Sequence, residues 1–271
     1  MTNFAVAEHC FILGWDKELD VIIVVGMAGS GKSYLVSALL DWLRMKELNA
    51  IAVNFDPGVV NLPYNPTVDC RVFVDTRRLM DEYQLGPNGA LVMAADLIAD
   101  HMEEIKQNIE DEAADIVLAD TPGQLELFAF RESGPYISKT ISDEGKAVVY
   151  MFDGAFSKSP ANYVSNMVMA AAVYNRLLQP QVYAITKADL LSEQELDQMV
   201  AWSEDQDELE RSLEAQLGKT ASLINRDLAK AISQVGLISE PIPVSAKTFD
   251  GFVELYAALT RVLTGGEEPT P

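Results

Sequence analysis

The chain is 271 residues long, with 41 acidic side chains against 20 basic ones and a formal charge of −21. Hydrophobic residues make up 49% and charged residues 23%, which excludes a disordered chain and is enough for a sizeable core. The acid surplus speaks against direct nucleic-acid binding and against docking on an anionic membrane, because both draw on a Lys/Arg excess.

Short β-branched runs alternate with longer helical stretches. Asp20–Val25 reads as a buried strand leading into a glycine-rich turn, and Lys32–Lys46 as a helix with Leu35, Leu39, Trp42 and Leu43 on one face. Asn49–Phe55 is a second strand that ends at Asp56, Pro57 and Gly58, and Arg71–Val74 reads as a short third. Thr76–Tyr83 is helical and stops at the turn signal Gly86–Gly89. Leu91–Asp111 reads as one long amphipathic helix, Asp115–Asp120 as a strand ending on an acid, and 123–139 as partly helical. Lys146–Asp153 is a strand, Asn162–Leu178 a helix, Gln181–Thr186 a strand, Pro241–Val244 a last strand and Gly251–Leu263 a closing helix. The alternation implies an α/β fold, a mostly parallel sheet covered by helices on both faces.

A charged region, 192–236, separates the last two strands and reads as a helical insertion. Ser192–Gly218 holds nine acids and one base, Arg211, the pattern of a solvated helical face. One domain is expected over 20–265, with 1–19 as an N-terminal extension and 266–271 as a frayed tail. No uncharged apolar stretch reaches the ~18–20 residues that span a bilayer. The first 20 residues lack a basic region and contain Glu8, Asp16, Glu18 and Asp20, so the expectation is a cytoplasmic protein without membrane contact. Cys10 and Cys70 are the only cysteines and His9 and His101 the only histidines, which excludes a disulfide framework and sites built from several histidines.

Residues 26–33, Gly-Met-Ala-Gly-Ser-Gly-Lys-Ser, match GxxxxGK[ST] between a strand and a helix. Glycines let successive amides turn toward one anion, and the helix N-terminus adds its positive end. Ala28, Gly29, Ser30, Gly31, Lys32, Ser33 and Tyr34 are therefore expected to hold phosphates, with Lys32 toward the β- and γ-phosphates and Ser33 toward Mg²⁺. The motif implies a three-layer P-loop NTPase. Asp120 ends a buried strand, where it can hold Mg²⁺ through water, and the Gly123 amide that follows Thr121 and Pro122 can sense a γ-phosphate.

Thr186, Lys187, Ala188 and Asp189 end another strand. Guanine presents N1–H and N2–H₂ as adjacent donors, which one carboxylate accepts; adenine offers no such pair. Asp189 is the candidate acceptor, with the stem of Lys187 covering the base. Ser245, Ala246 and Lys247, after the last strand, can place an amide on guanine O6.

In order along the chain, the P-loop, Asp-Thr-Pro-Gly-Gln at 120–124, Thr-Lys-Ala-Asp at 186–189 and Ser-Ala-Lys at 245–247 resemble a GTPase. With Gly86, Pro87 and Asn88, and with Asn54–Pro57, Leu62–Tyr64 and Asp69–Arg71, the chain resembles a GPN-loop GTPase of the archaeal type from about Val21 to Leu263. That resemblance implies a homodimer in which the Gly86-Pro87-Asn88 loop of each subunit reaches the partner's GTP. It implies Asp56 near Mg²⁺ and the attacking water, and Gln124 beside the γ-phosphate. Lys32, Asp56, Asn88 and Gln124 are then the catalytic candidates, and Ser33, Asp56 and Asp120 the metal candidates. Eukaryotic relatives of this type act in RNA polymerase II assembly, so an unidentified protein client is expected. Thr186 stands where the wider GTPase pattern has Asn; it keeps a hydroxyl but loses the amide that ties the base loop to the P-loop, so modest affinity is expected. Phe55 and Gly58 also depart from the family pattern, and neither is expected to touch the chemistry. Two other readings stay open: a P-loop small-molecule or polynucleotide kinase, and a GTP-binding assembly scaffold with negligible turnover. A kinase would need an acceptor pocket and an arginine-bearing lid.

Overall fold

The computed structural model describes residues 19–143, 145–234, 236 and 240–265. The N-terminal extension up to residue 18 and the tail from 266 lie outside these residues. Seven strands form one parallel sheet in the order β3-β2-β4-β1-β5-β6-β7. They are β1 (Asp20–Gly26), β2 (Ala50–Asn54), β3 (Val68–Asp69), β4 (Ile116–Asp120), β5 (Lys146–Asp153), β6 (Gln181–Thr186) and β7 (Ile242–Pro243).

Side chains alternate across the central strands and feed two cores. Val21, Ile23 and Val25 of β1 enter one core together with Ile51, Val53, Val117, Tyr150, Phe152 and Tyr183. Ile22 and Val24 enter the other with Ala52, Leu118, Val149, Met151 and Ala184. Strands buried on both faces read as continuous apolar runs, which is how 21–25 stands in the sequence. The second core is closed by α1 (Lys32–Met45), through Leu35, Leu39 and Leu43, and by α12 (Phe252–Leu263), through Phe252, Leu255 and Leu259. The first is closed by α2 (Thr76–Glu82), α3 (Pro87–Asp100), α4 (Met102–Asp111), α5 (Leu125–Phe128), α6 (Ser133–Thr140) and α8 (Pro160–Leu177), with short α7 (Gly154–Ser157) between β5 and α8. The result is the three-layer α/β/α arrangement expected of a P-loop NTPase.

The insertion folds as α9 (Glu193–Glu204), α10 (Gln206–Leu217) and α11 (Lys219–Gln234). Met199, Trp202, Leu209 and Leu213 pack it onto the first core, where Trp202 meets the Tyr163 ring edge-on at 5.4 Å. Its acids point outward and several hold bases: Arg211 pairs with Glu208 at 2.7 Å and Arg226 with Glu210 at 2.8 Å.

Two elements differ from the sequence expectation. Arg71–Val74 is not a strand; β3 is Val68–Asp69, and Cys70–Val72 turns into a single 3₁₀ turn. The Asp69 carboxylate accepts the Arg71 amide and so draws the backbone out of the ladder. The expected helix 91–111 is two helices that meet at His101, and the first begins at Pro87 with Gly86 as its cap. Ile98, Met102, Ile105 and Ile109 form a continuous buried stripe across the break, so apolar periodicity cannot reveal it.

Candidate functional site

All strands run the same way, so Gly26, Asn54, Asp120, Asp153 and Thr186 end at one edge of the sheet. Elements leave β1 toward both sides, which opens a crevice at that edge.

The P-loop occupies this crevice. Gly29 and Gly31 have φ of 78° and 94°, the left-handed conformation that glycine adopts at little cost. A Cβ at Gly26 would lie 2.9 Å from Met151 Cβ and from Ser30 Oγ, so glycine is also required where the loop leaves the sheet. Gly31 caps α1, whose first turn contains no acid, so its free amides face any anion unopposed. Lys32 is buried and its ammonium donates to the carbonyls of Gly26 (3.0 Å), Met27 (3.2 Å) and Gly123 (3.2 Å). Burial lowers its pKa, against the pull of Asp120 and Asp56.

Asp120 is fully buried. Its Oδ2 accepts from the Tyr64 hydroxyl at 2.9 Å, while Oδ1 has no hydrogen-bond partner among the described residues. Burial pushes the carboxyl pKa up to about 6, against the Ser33 and Tyr64 hydroxyls and the Lys32 charge. Ser33 is near enough to act on the carboxylate without a formed bond to Oδ1. A buried carboxylate oxygen left unpaired costs about 1–3 kcal/mol. That orphan oxygen beside a serine hydroxyl fits Mg²⁺, which takes one or two protein ligands and fills the rest with water and phosphate.

Asp56 joins this group. Its Oδ2 accepts the Gly123 amide at 3.0 Å and its Oδ1 the Gly58 amide at 2.8 Å. The amide expected to face a terminal phosphate therefore donates to Asp56. Gly58, expected to be remote from the chemistry, holds one of this carboxylate's oxygens. Asn54 accepts the Asp56 amide at 2.9 Å and donates to Asp69 Oδ1 at 2.9 Å; Asp69 in turn binds Arg71, whose Nη1 donates to the Val59 carbonyl at 3.0 Å. Arg71 is thus committed to bracing the loop after Asp56. Gln124 caps α5 and is half-buried. Asn88 is exposed in the first turn of α3, behind Pro87.

A cavity of about 450 Å³ links the P-loop to the two base-binding candidates and is lined by Ser30, Gly31, Tyr34, Thr186, Lys187, Asp189, Ala246 and Lys247. Thr186 Oγ1 donates to the Ser30 carbonyl at 3.0 Å and to the Phe152 carbonyl at 3.3 Å. The hydroxyl that Thr186 keeps therefore ties the base loop to the P-loop where the Asn amide is missing. Lys187 stretches past Gly31 and donates to the Gly29 carbonyl (2.7 Å) and to Asp153 (2.8 Å), so its stem lies along the cavity wall. Ser245 Oγ donates to Asp189 Oδ1 at 2.9 Å. The Ser245 amide donates to the Asp250 carbonyl and that of Lys247 to Ser245 Oγ, which leaves the Ala246 amide for a base. A larger groove, about 740 Å³, lies along α3 and α6 beside Asp96, Glu103 and Tyr136; no strand-end residue lines it, and it is too open to define a ligand.

Sequence reasoning assigned no role to Tyr64, Asn54, Asp69 or Asp153. The first three stood in the quoted family pattern, which marked them without saying what they touch.

A family model described as "Conserved hypothetical ATP binding protein" matches residues 24–265. The chain is 34% identical to the GPN-loop GTPase PAB0955 of Pyrococcus abyssi, over 87% of this chain and 94% of that protein. It is 32% identical to the Arabidopsis thaliana GPN-loop GTPase QQT2, over 87% of this chain and 62% of the relative. It is 30% identical to GPN-loop GTPase 1 of Saccharomyces cerevisiae, over 90% and 66%. The chain thus spans about three-fifths of the length of these two eukaryotic relatives. A crystal structure of PAB0955, described as a GTPase in apo form, superposes with a TM-score of 0.79 and 32% identity, covering 90% of this chain and 97% of that one.

Proposed function

Since the chain belongs to the GPN-loop GTPase family, we propose that it binds GTP with Mg²⁺ and hydrolyses it to GDP and phosphate, as a homodimer joined through the Gly86-Pro87-Asn88 loop. The observation that carries the guanine reading is Asp189, held on one oxygen by Ser245, at the far end of the cavity from the P-loop. Its other oxygen and the Ala246 amide offer acceptor and donor in the arrangement guanine requires. The matching family description speaks of ATP; adenine would offer no donor pair to the Asp189 oxygen that Ser245 leaves free.

Phosphoryl transfer to water depends on positioning and on charge stabilisation. The α1 amides and Lys32 receive the phosphates. Bound Mg²⁺ would be held by the Ser33 hydroxyl and by Asp120, with Asp56 nearby, and would neutralise charge on the phosphate oxygens. The Gly123 amide serves one acceptor at a time. A terminal phosphate that takes it from Asp56 releases that carboxylate to accept a proton from the attacking water, with Gln124 orienting the same water. Asn88, exposed on α3, is the group offered to a partner subunit's nucleotide.

The insertion does not suit a kinase lid. Among the described residues, none from α9–α11 lines the cavity, and both arginines there are paired with acids. A role in assembling a protein client such as RNA polymerase is carried over from the resemblance alone.

Phosphate release from purified protein with Mg²⁺ tests the reading. GTP should turn over and ATP hardly at all; equal turnover of the two would remove the guanine assignment. Asn88→Ala should lower turnover far more than GDP affinity.

A further inference from the structure

Asp120 lies at the end of β4 and Tyr64 in the long connection between β2 and β3, yet their side chains form a buried 2.9 Å hydrogen bond. Tyr64 is 9% exposed and its ring belongs to the core under α1, so the hydroxyl has little freedom to choose another partner. The connection is secured next to it: Ser37 Oγ donates to the Pro63 carbonyl at 3.1 Å. Ser37 stands one helical turn beyond Ser33, so both hydroxyls project from the same face of α1. One face therefore carries the serine expected at the metal and the serine that fastens the strand of chain bearing Tyr64.

A carboxylate can rotate about its last bond. With Oδ2 taken by Tyr64, rotation is restrained and Oδ1, unpartnered among the described residues, is the oxygen left to act. Hydrogen bonds of this kind behind a metal ligand set its orientation and are worth a factor of roughly 10–100 in metal affinity.

We infer that Tyr64 is a positioning residue that aims the Asp120 carboxylate at Mg²⁺ and couples the 57–67 connection to metal occupancy. The inference rests on the nucleotide and metal reading above. Asp56, just before this connection, holds the Gly123 amide, and Tyr64 within it holds Asp120. Both contacts report on the phosphate and metal groups, and a shift at either is passed through a braced segment.

The test uses the full chain loaded with a fluorescent GDP analogue, whose release rate is read against free Mg²⁺. Tyr64→Phe keeps the ring and removes the hydroxyl. It should raise the Mg²⁺ concentration for half-maximal retention by about ten-fold or more, while release in EDTA stays at the wild-type rate. In an Asp120→Asn background the same change should add nothing, because its effect runs through that carboxylate. If Tyr64→Phe fails to fold, Ser37→Ala takes its place with the same expected shifts. An unchanged Mg²⁺ requirement, or a shift that persists in full in the Asp120→Asn background, overturns the inference. Wild-type protein that retains no guanine nucleotide even at saturating Mg²⁺ overturns the nucleotide reading itself and the inference with it.

Discussion

The hydroxyl of Thr186 reaches across the sheet edge to the carbonyl of Ser30 at 3.0 Å, joining the base loop to the P-loop with one buried hydrogen bond. Thr186→Val keeps the shape and removes the donor. An unsatisfied buried carbonyl costs about 1–3 kcal/mol, so affinity for GDP and for GTP should fall together by roughly five- to a hundred-fold. Calorimetry with both nucleotides checks this. A loss confined to GTP would place Thr186 at the γ-phosphate side of the site instead.

Asp189→Asn changes what the base loop offers. The amide brings a donor where guanine needs an acceptor, and it suits xanthine, which carries a carbonyl at that edge. GTP affinity should fall by more than about ten-fold and XTP affinity rise, read by competition against a labelled nucleotide. Equal affinities before and after would mean that the base lies elsewhere.

Asp56 is the carboxylate that exchanges the Gly123 amide with phosphate in the proposed mechanism. Asp56→Ala should leave GDP binding near wild type and lower single-turnover hydrolysis by about 10²-fold or more, the range of an acid–base group. Rapid-mix phosphate release on preloaded protein separates the two effects.

Asp120 has a pKa of about 6, raised by burial above the ordinary carboxylate value of 3.8. The folded protein therefore binds this proton more tightly than the unfolded chain. Stability linked to this group is greatest below pH 4, falls as pH rises from about 4 to 6, and is lowest above. The ionised carboxylate costs the metal-free protein on the order of 3 kcal/mol at pH 7. Asp120→Asn in EDTA should melt higher by roughly 5 °C or more at pH 7, and the gain should fade toward pH 4. A gain that is equal at both pH values would show that charge is not its source.

A Cβ at Gly58 would fall 2.5 Å from Leu91 Cδ2, at the end of a flexible side chain on α3. Gly58→Ala should cost about 1 kcal/mol or slightly more through overpacking. Leu91→Ala in the same chain should remove the clash, so the two changes together should cost less than their sum. Urea melts of the four proteins measure the coupling. Strict additivity would mean that the loop moves instead of the leucine.

Much of this protein is legible residue by residue. The buried strand, the glycine loop and Lys32 are neighbours in the chain, and the strand-ending Asp120, Thr186–Asp189 and Ser245–Lys247 each follow a recognisable apolar run. Such signals survive in sequence because backbone geometry over a few residues is set locally, by side-chain alternation, by glycine and by helix capping. Other relationships join residues far apart, and no local preference encodes them: Tyr64 on Asp120, Gly58 against Leu91, Asp69 and Arg71 bracing the loop after Asp56, Lys187 on Asp153. These follow from the way parallel strands deliver their ends to one edge and from the buried partners each polar atom must find there. The break at His101 belongs with them, since an unbroken apolar stripe fits one helix or two and packing against the sheet makes the choice.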